Sequence, residues 1–258
     1  MEIQEAVRRY LQTSGFGQMA LKTAMFDMDG VLFDSMRNHA RCWHETMTHF
    51  GFDFPEWEAF LHEGRTGGGT INIVSQRERG HDATAEEIEE MYRYKSELFD
   101  QCPEAEPMPG AYSLLKKVKG SGITPMVLTG SGQRILLKRL QKNFPDIFRL
   151  ELMVTAFDVK KGKPDPEPYL MGLEKGGCFL SNSTEGTLKA NESIVIENAP
   201  LGVEAGVAAG VFTIAVNTGP LPDETLYEAG ANLLFPSMQA LCDQWEELLG
   251  ALQTTTTM

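Results

Sequence analysis

Cysteine is scarce in this chain of 258 residues: only Cys42, Cys102, Cys178 and Cys242 are present, far apart, with no C-x-x-C pair and no paired histidines beside them. That spacing argues against a disulfide framework or a zinc site, and buried thiols in a reducing compartment are the expectation. Long apolar runs are missing too, since none approaches the ~20 residues that span a bilayer. The opening segment MEIQEAVRRYLQTSG carries acids and bases on a helical period in place of the apolar stretch of a signal peptide, which points to the cytoplasm. Basic residues are in deficit, 23 against 36 acids, for a net charge of -13. This balance argues against nucleic acid and anionic membranes as partners, because both require basic surface. An acidic chain that handles phosphates must create positive charge locally, and a bound metal ion is a direct way to do so.

What is present is an ordered alternation. Ile3, Ala6, Val7, Tyr10 and Leu11 form an apolar stripe at helical spacing that Gly15 stops. This first helix is expected to pack on the main domain, with a dimer contact as the other reading. ALKTAMFDMDG then reads as a buried strand ending in acids and a glycine. Between about Ser35 and Pro107 the pattern is helical only, near 36–50, 55–62, 69–79 and 84–101, with Pro55, Gly80 and Pro103 as punctuation. After Pro109 strands are predicted at 123–130, 151–156, 193–197, 211–216 and 231–235, separated by helices at 110–119, 132–143, 167–175, 201–209, 222–229 and 237–250. Such alternation implies right-handed crossovers and a parallel sheet covered on both faces. The polar stretch 179–193 reads as an extended surface loop, and the tail LQTTTTM as frayed.

In parallel sheets chemistry gathers beyond the carboxyl ends of the strands. Asp27-Met28-Asp29-Gly30 follows the first strand, Thr129-Gly130-Ser131-Gly132 the second, Lys163 lies in the KGKPDPEP loop after the third, and the fourth ends Glu197-Asn198. Any one of these has an ordinary explanation: a solvated turn, a helix cap, a surface lysine, a strand-to-helix turn. Together they suit phosphoryl transfer. A carboxylate at Asp27 can attack phosphorus and split one hard displacement into two easier ones. Asp29, on the same side of an extended segment, can protonate the leaving oxygen and then activate water. Thr129 and the amides around Gly130 and Ser131 can donate to phosphoryl oxygens that accumulate charge, and Lys163 brings a compact cation. A donor set dominated by oxygen selects a hard ion, so Mg²⁺ is the expected cofactor.

FDMDGVLFDS, LTGSGQ, KGKPDPEPY and IENAPLGVEAGVAAG resemble, in this order, the four motifs of the haloacid dehalogenase (HAD) superfamily. The resemblance spans all but the first ~20 residues and is strongest to the β-phosphoglucomutase-like subgroup. Within that subgroup HEGRTG, TINIV, MPGA, TGSGQ and ENAPLGVEAG are most similar to its inorganic pyrophosphatases. The resemblance implies an α/β chain: a Rossmann-like, doubly wound parallel sheet core, residues 1–35 and 108–258, with a small all-helical cap, residues 36–107, inserted after the first strand. It implies that Asp27 is the nucleophile and Asp29 the acid/base. It places the metal on the Asp27 carboxylate, the Asp29 carbonyl and the fourth motif, Glu197 and Asn198. Asp29 also separates the chain from the superfamily's dehalogenases, which lack that second aspartate. Many relatives carry Asp where this chain has Asn198, which removes one negative charge and implies weaker metal binding.

Specificity is expected from the cap, with His39, Glu63, Arg65, Thr66 and Lys95 as candidates. His39, Trp43 and Met47 share a helical face and read equally well as cap core. In the mutases the corresponding loop is basic, roughly K-G-x-S-R, whereas here Glu63 holds the lysine position and Gly67 the arginine position. An acid facing an anionic substrate repels it unless it meets a cation, so Glu63 is expected to reach the Mg²⁺ shell when the cap closes, on hinges near 34–38 and 104–109. Inorganic pyrophosphate is the leading substrate. The alternatives are a phosphatase for sugar phosphates or other small monoesters, a β-phosphoglucomutase, and a non-catalytic phospholigand-binding protein. A monomer or weak dimer acting on a small phosphate compound is the expected assembly.

Overall fold

The computed structural model describes residues 2–130 and 136–253. The chain opens with α1 (Ile3–Ser14) and β1 (Thr23–Phe26), then leaves the sheet for α2 (Met36–His49), α3 (Glu58–Leu61), α4 (Gly67–Arg79) and α5 (Ala85–Asp100). It returns through α6 (Ala111–Gly120), β2 (Thr124–Leu128), α7 (Leu136–Asn143), β3 (Met153–Val154), α8 (Glu167–Ser181) and β4 (Ser193–Glu197). α9 (Pro200–Ala208), β5 (Phe212–Val216), α10 (Asp223–Glu228), β6 (Leu233–Phe235), α11 (Met238–Asp243) and α12 (Trp245–Gln253) complete the described part.

The six strands form one parallel sheet in the order β3-β2-β1-β4-β5-β6. Every residue of β1, β4 and β5 is buried, as a parallel sheet covered on both faces requires. Side chains alternate between the faces. Ala24, Phe26, Ile194 and Ile196 join α1, α6, α11 and α12 in the larger apolar cluster, while Met25, Met126, Leu128 and Val195 meet Tyr169 and Leu173 of α8 on the other side. Burying a side chain of Phe26's size contributes about 1.5–3 kcal/mol. The stripe of α1 lies wholly in the first cluster, so this helix packs on the core domain.

Helices α2 to α5 have an apolar centre of their own, built on Ala40, Met47, Phe54, Ile71, Val74 and Met91. The chain departs for this helical unit and comes back from it side by side: Asp34 N–H donates to Glu106 O at 2.9 Å and Met108 N–H to Leu32 O at 2.8 Å.

Several predicted elements differ in extent. The third strand pairs only through Met153 and Val154, because Leu150–Leu152 wind into a 3₁₀ turn. Helix α8 runs on to Ser181, where Asn182 ends it in a left-handed conformation. The loop that follows is therefore shorter than 179–193, and its Leu188 is buried in the second cluster. The helix predicted at 237–250 is two, broken at Gln244. The start of the 132–143 helix, Ser131 and the tail from Thr254 lie outside the described residues. None of the described helices is long and apolar enough to cross a membrane.

Candidate active site

Strand order reverses between β1 and β4, which leave the centre of the sheet in opposite directions. A crevice outside the strand ends at that switch point is where such sheets bind ligands. Asp27 follows β1 and Glu197 ends β4, so the topology sets two buried carboxylates side by side. Asp27 is 5% exposed and Glu197 1%. Lys163, 2% exposed, donates from Nζ to both, to Asp27 Oδ1 and to Glu197 Oε1. Burying three charges is costly unless each is paired and hydrogen-bonded. Here burial pushes Asp27 above the usual carboxylate range, with the Lys163 ammonium opposing that rise and Glu197 and Asp29 adding to it. Burial also works against the charge on Lys163, but Asp27 and Glu197 outweigh it and hold the ammonium well above its ordinary value.

Glu197, expected as a metal ligand, is otherwise engaged. Its Oε1 also accepts from the Tyr169 hydroxyl at 2.8 Å, and its Oε2 from the backbone N–H groups of Asn198 and Ala199 at 2.9 and 3.2 Å. Four donors leave this carboxylate fixed as the holder of Lys163. Tyr169, fully buried, is a site residue that the sequence reading did not single out, although it closes the quoted KGKPDPEPY motif.

Asp29 turns the other way, toward the cap. Its Oδ1 accepts from Ser35 Oγ at 2.5 Å and lies 3.4 Å from His39 Nε2. Lys95 Nζ sits 2.9 Å from His39 Nδ1. The ammonium can only donate, so Nδ1 accepts and the ring proton lies on Nε2, facing Asp29. Burial, then the adjacent Lys95, hold His39 below its ordinary value, with Asp29 opposing them. Burial alone raises Asp29, yet His39, the Ser35 hydroxyl and Arg139 together bring it down to about 2. Lys95 is itself 5% exposed, over the rings of Phe99 and Trp43. Of the shared helical face, His39 and Trp43 line the cavity and Met47 is cap core.

Gly30 makes the turn that exposes both aspartates. Its φ of +82° suits glycine, and a β-carbon there would sit 2.1 Å from Asn198 Nδ2. That amide nitrogen donates to Glu63 Oε2 at 2.9 Å, so the cap loop reaches the end of β4. The partner atoms, Glu63 Oε1 and Asn198 Oδ1, are buried with nothing bonded to them. Burial, then Asp27 and Glu197, push Glu63 well above the usual carboxylate range. Two orphaned oxygens beside Asp27 are what a hard cation would satisfy, so these residues fit Mg²⁺. Among the described residues no three His, Cys, Asp or Glu side chains are spaced to hold a metal unaided. The fit therefore depends on the Asn198 amide oxygen and a backbone carbonyl.

The cavity between cap and core has a volume of about 80 Å³, several times the ~10–15 Å³ that one water needs. Asp27, Asp29, His39, Glu63, Arg65, Lys95, Thr129 and Gly130 all line it. Thr66 does not. It is exposed and caps α4, its Oγ1 accepting from the Gly69 N–H at 3.2 Å. The glycine-rich sequence after it is a helix start, which explains why a loop residue expected at the substrate points elsewhere.

The family profile of haloacid dehalogenase-like hydrolases matches residues 24–216. Hexitol phosphatase A of Escherichia coli is 31% identical over 200 residues, 77% of this chain and 84% of the relative. Glycerol-1-phosphate phosphohydrolase 1 of Saccharomyces cerevisiae is 28% identical over 232 residues, 86% and 85% of the two chains. Among solved structures, a candidate β-phosphoglucomutase from Bacteroides vulgatus is 60% identical, with a TM-score of 0.91 and 98% of each chain covered. On these matches the chain belongs to the haloacid dehalogenase-like hydrolase family, in its β-phosphoglucomutase-like branch.

Proposed function

We propose that the chain is a Mg²⁺-dependent phosphohydrolase working through an aspartyl-phosphate, with inorganic pyrophosphate as its leading substrate. Glu63 carries this reading. It brings an acid from the cap to Asn198, with one oxygen unsatisfied, where a sugar-binding cap would present a base. An ionised carboxylate there is compatible with an anionic substrate only through a cation, and burial beside Asp27 and Glu197 disfavours that ionised form until a cation arrives. Asp27, the Asp29 carbonyl, Asn198 Oδ1 and Glu63 Oε1 would hold Mg²⁺, which when bound neutralises phosphoryl charge and offsets the repulsion between substrate and carboxylates. The small cavity suits a small anion as leaving group.

In the first step an Asp27 oxygen forms a bond to one phosphorus as the bridging P–O bond breaks, and the second phosphate leaves with a proton from Asp29, which the second step restores. In the second step water attacks the same phosphorus, its proton passes to Asp29, and the Asp27 carboxylate is released. Lys163 favours the ionised form of Asp27 against the burial that raises it, and Thr129 and the Gly130 amide donate to the transferring oxygens. Asp29, held at about 2, is too weak a base as it stands. A phosphoryl anion brought against it raises its proton affinity toward the useful range.

The test is initial-rate phosphate release from pyrophosphate beside a panel of monoesters including β-glucose 1-phosphate, with Mg²⁺ and with EDTA. Pyrophosphate is expected to lead by orders of magnitude in kcat/KM and EDTA to abolish release. The names of the relatives favour a second reading, a phosphatase for sugar or polyol phosphates. A leading monoester would establish that reading and retire the first.

A further inference from the structure

The cap meets the core through glycines. Gly64, beside Glu63 in the cap loop, has φ +84°, and a β-carbon on it would lie 2.7 Å from Lys163 Cδ. A β-carbon on Gly130, in the loop after β2, would lie 3.0 Å from Gly64 O. One on Gly162, in the loop that carries Lys163, would lie 3.1 Å from Thr66 Cγ2 and 3.5 Å from both Gly64 O and Thr66 N. Gly130 and Gly162 thus bring bare backbone up to the Gly64 carbonyl, while Gly64 and Gly162 also lie against the Lys163 stem and the Thr66 methyl, where the cap loop crosses onto the core.

We propose that Gly64, Gly130 and Gly162 form a close-packed glycine seam that sets the depth of cap closure and so positions Glu63 against Asn198. The inference rests on the reading of this crevice as a phosphohydrolase site, but not on which phosphate compound is the substrate. Carbon atoms pack at about 3.5–4.0 Å, so a methyl group at Gly162 would hold the Thr66 side chain off by roughly half an ångström. At Gly130 the obstacle is a carbonyl oxygen of the cap loop's own backbone, which moves only if the loop moves. Glu63 is one residue from that carbonyl, so a seam held open withdraws its carboxylate from Asn198. A misplacement approaching 1 Å at a reacting centre costs up to ~100-fold in rate. Gly64 and Gly162 are positioning residues, acting through Glu63 and Lys163 and not on the substrate, whereas Gly130 adds this role to that of its amide, so Gly162→Ala is the cleaner test.

The experiment uses Gly162→Ala, Gly130→Ala, Thr66→Ser and the double variant Gly162→Ala/Thr66→Ser, assayed with whichever phosphate compound the parent enzyme turns over best. Failure of the pyrophosphate reading therefore leaves this test intact. Gly162→Ala is expected to lower kcat/KM about tenfold and Gly130→Ala more, with melting temperatures within a few degrees of the parent. Removing the Thr66 methyl should recover most of the Gly162→Ala loss, measured against Thr66→Ser alone. A loss of generic packing would not be recovered that way. Crystal structures of the single variants supply the independent readout: the Glu63 Oε2 to Asn198 Nδ2 separation, 2.9 Å here, should exceed hydrogen-bond distance. An unchanged separation, unchanged rates, or no recovery in the double variant would each overturn the proposal.

Discussion

On the core wall of the cavity the charged groups have been given partners by the sheet. Lys163 lies between Asp27 and Glu197, and Tyr169 and two backbone amides complete Glu197. On the cap wall His62 Nδ1, Glu63 Oε1 and Arg65 Nε are all buried without a partner. On the core side, Asn198 Oδ1 sits unpartnered against Glu63, and Arg139 Nε, of the guanidinium that acts on Asp29, is likewise unpartnered. Buried polar atoms left unpaired cost about 1–3 kcal/mol each, so the cap wall stores unmet demand that a ligand can satisfy. Chemistry is thus finished in advance on one side, while selection waits for an occupant on the other.

Substitutions on the two walls should therefore fail in different ways. Asp27→Asn removes the proposed nucleophile and is expected to lower phosphate release by roughly ten-thousandfold or more on every substrate. Release that survives with the same rank order of substrates would mean the core wall does not perform the chemistry. Glu63→Gln keeps the shape and removes the charge. A drop of about 10–100-fold is expected on pyrophosphate, with a Mg²⁺ requirement shifted to higher concentration and a smaller loss on monoesters. Equal losses on all substrates would move Glu63 from selection to chemistry and blur the contrast. Tyr169→Phe removes one of Glu197's four donors and leaves the ring in place. Its effect should be the smallest, a few-fold fall in kcat at unchanged KM, because Lys163 and two amides still hold the carboxylate. Pre-steady-state phosphate release would show whether that fall lies in the first displacement.

The core wall was legible in the sequence because its residues follow apolar runs that can only be strands. Asp27, Lys163, Glu197 and Asn198 were located by that rule, and the sheet brings them together. Tyr169 escaped because an aromatic in the first turn of a helix looks the same whether its hydroxyl is wet or bonded to a buried carboxylate. The resemblance puts Glu197 on the metal, while its four donors come from backbone amides and distant side chains, which no spacing encodes. Thr66 was misplaced since three glycines read as a loop, yet they begin α4. The break at Gln244 left no trace in the pattern: Leu241, Trp245 and Leu248 are all buried, so the apolar period runs straight through it. Ser35, which holds Asp29, lies within the quoted first motif, but only the fold turns it back on that carboxylate.

The paired departure and return of the chain at Asp34 and Glu106 has a further consequence. Strand β1 is bonded to β2 and β4, and the helical unit adds no rung to any ladder. The unit is therefore a removable attachment in the topological sense, joined through two neighbouring threads. Lengthening, shrinking or exchanging it changes loop-closure entropy only logarithmically and leaves the sheet's pairings intact. One catalytic platform can in this way be refitted with different lids, and its selectivity can drift without disturbing the machinery beneath.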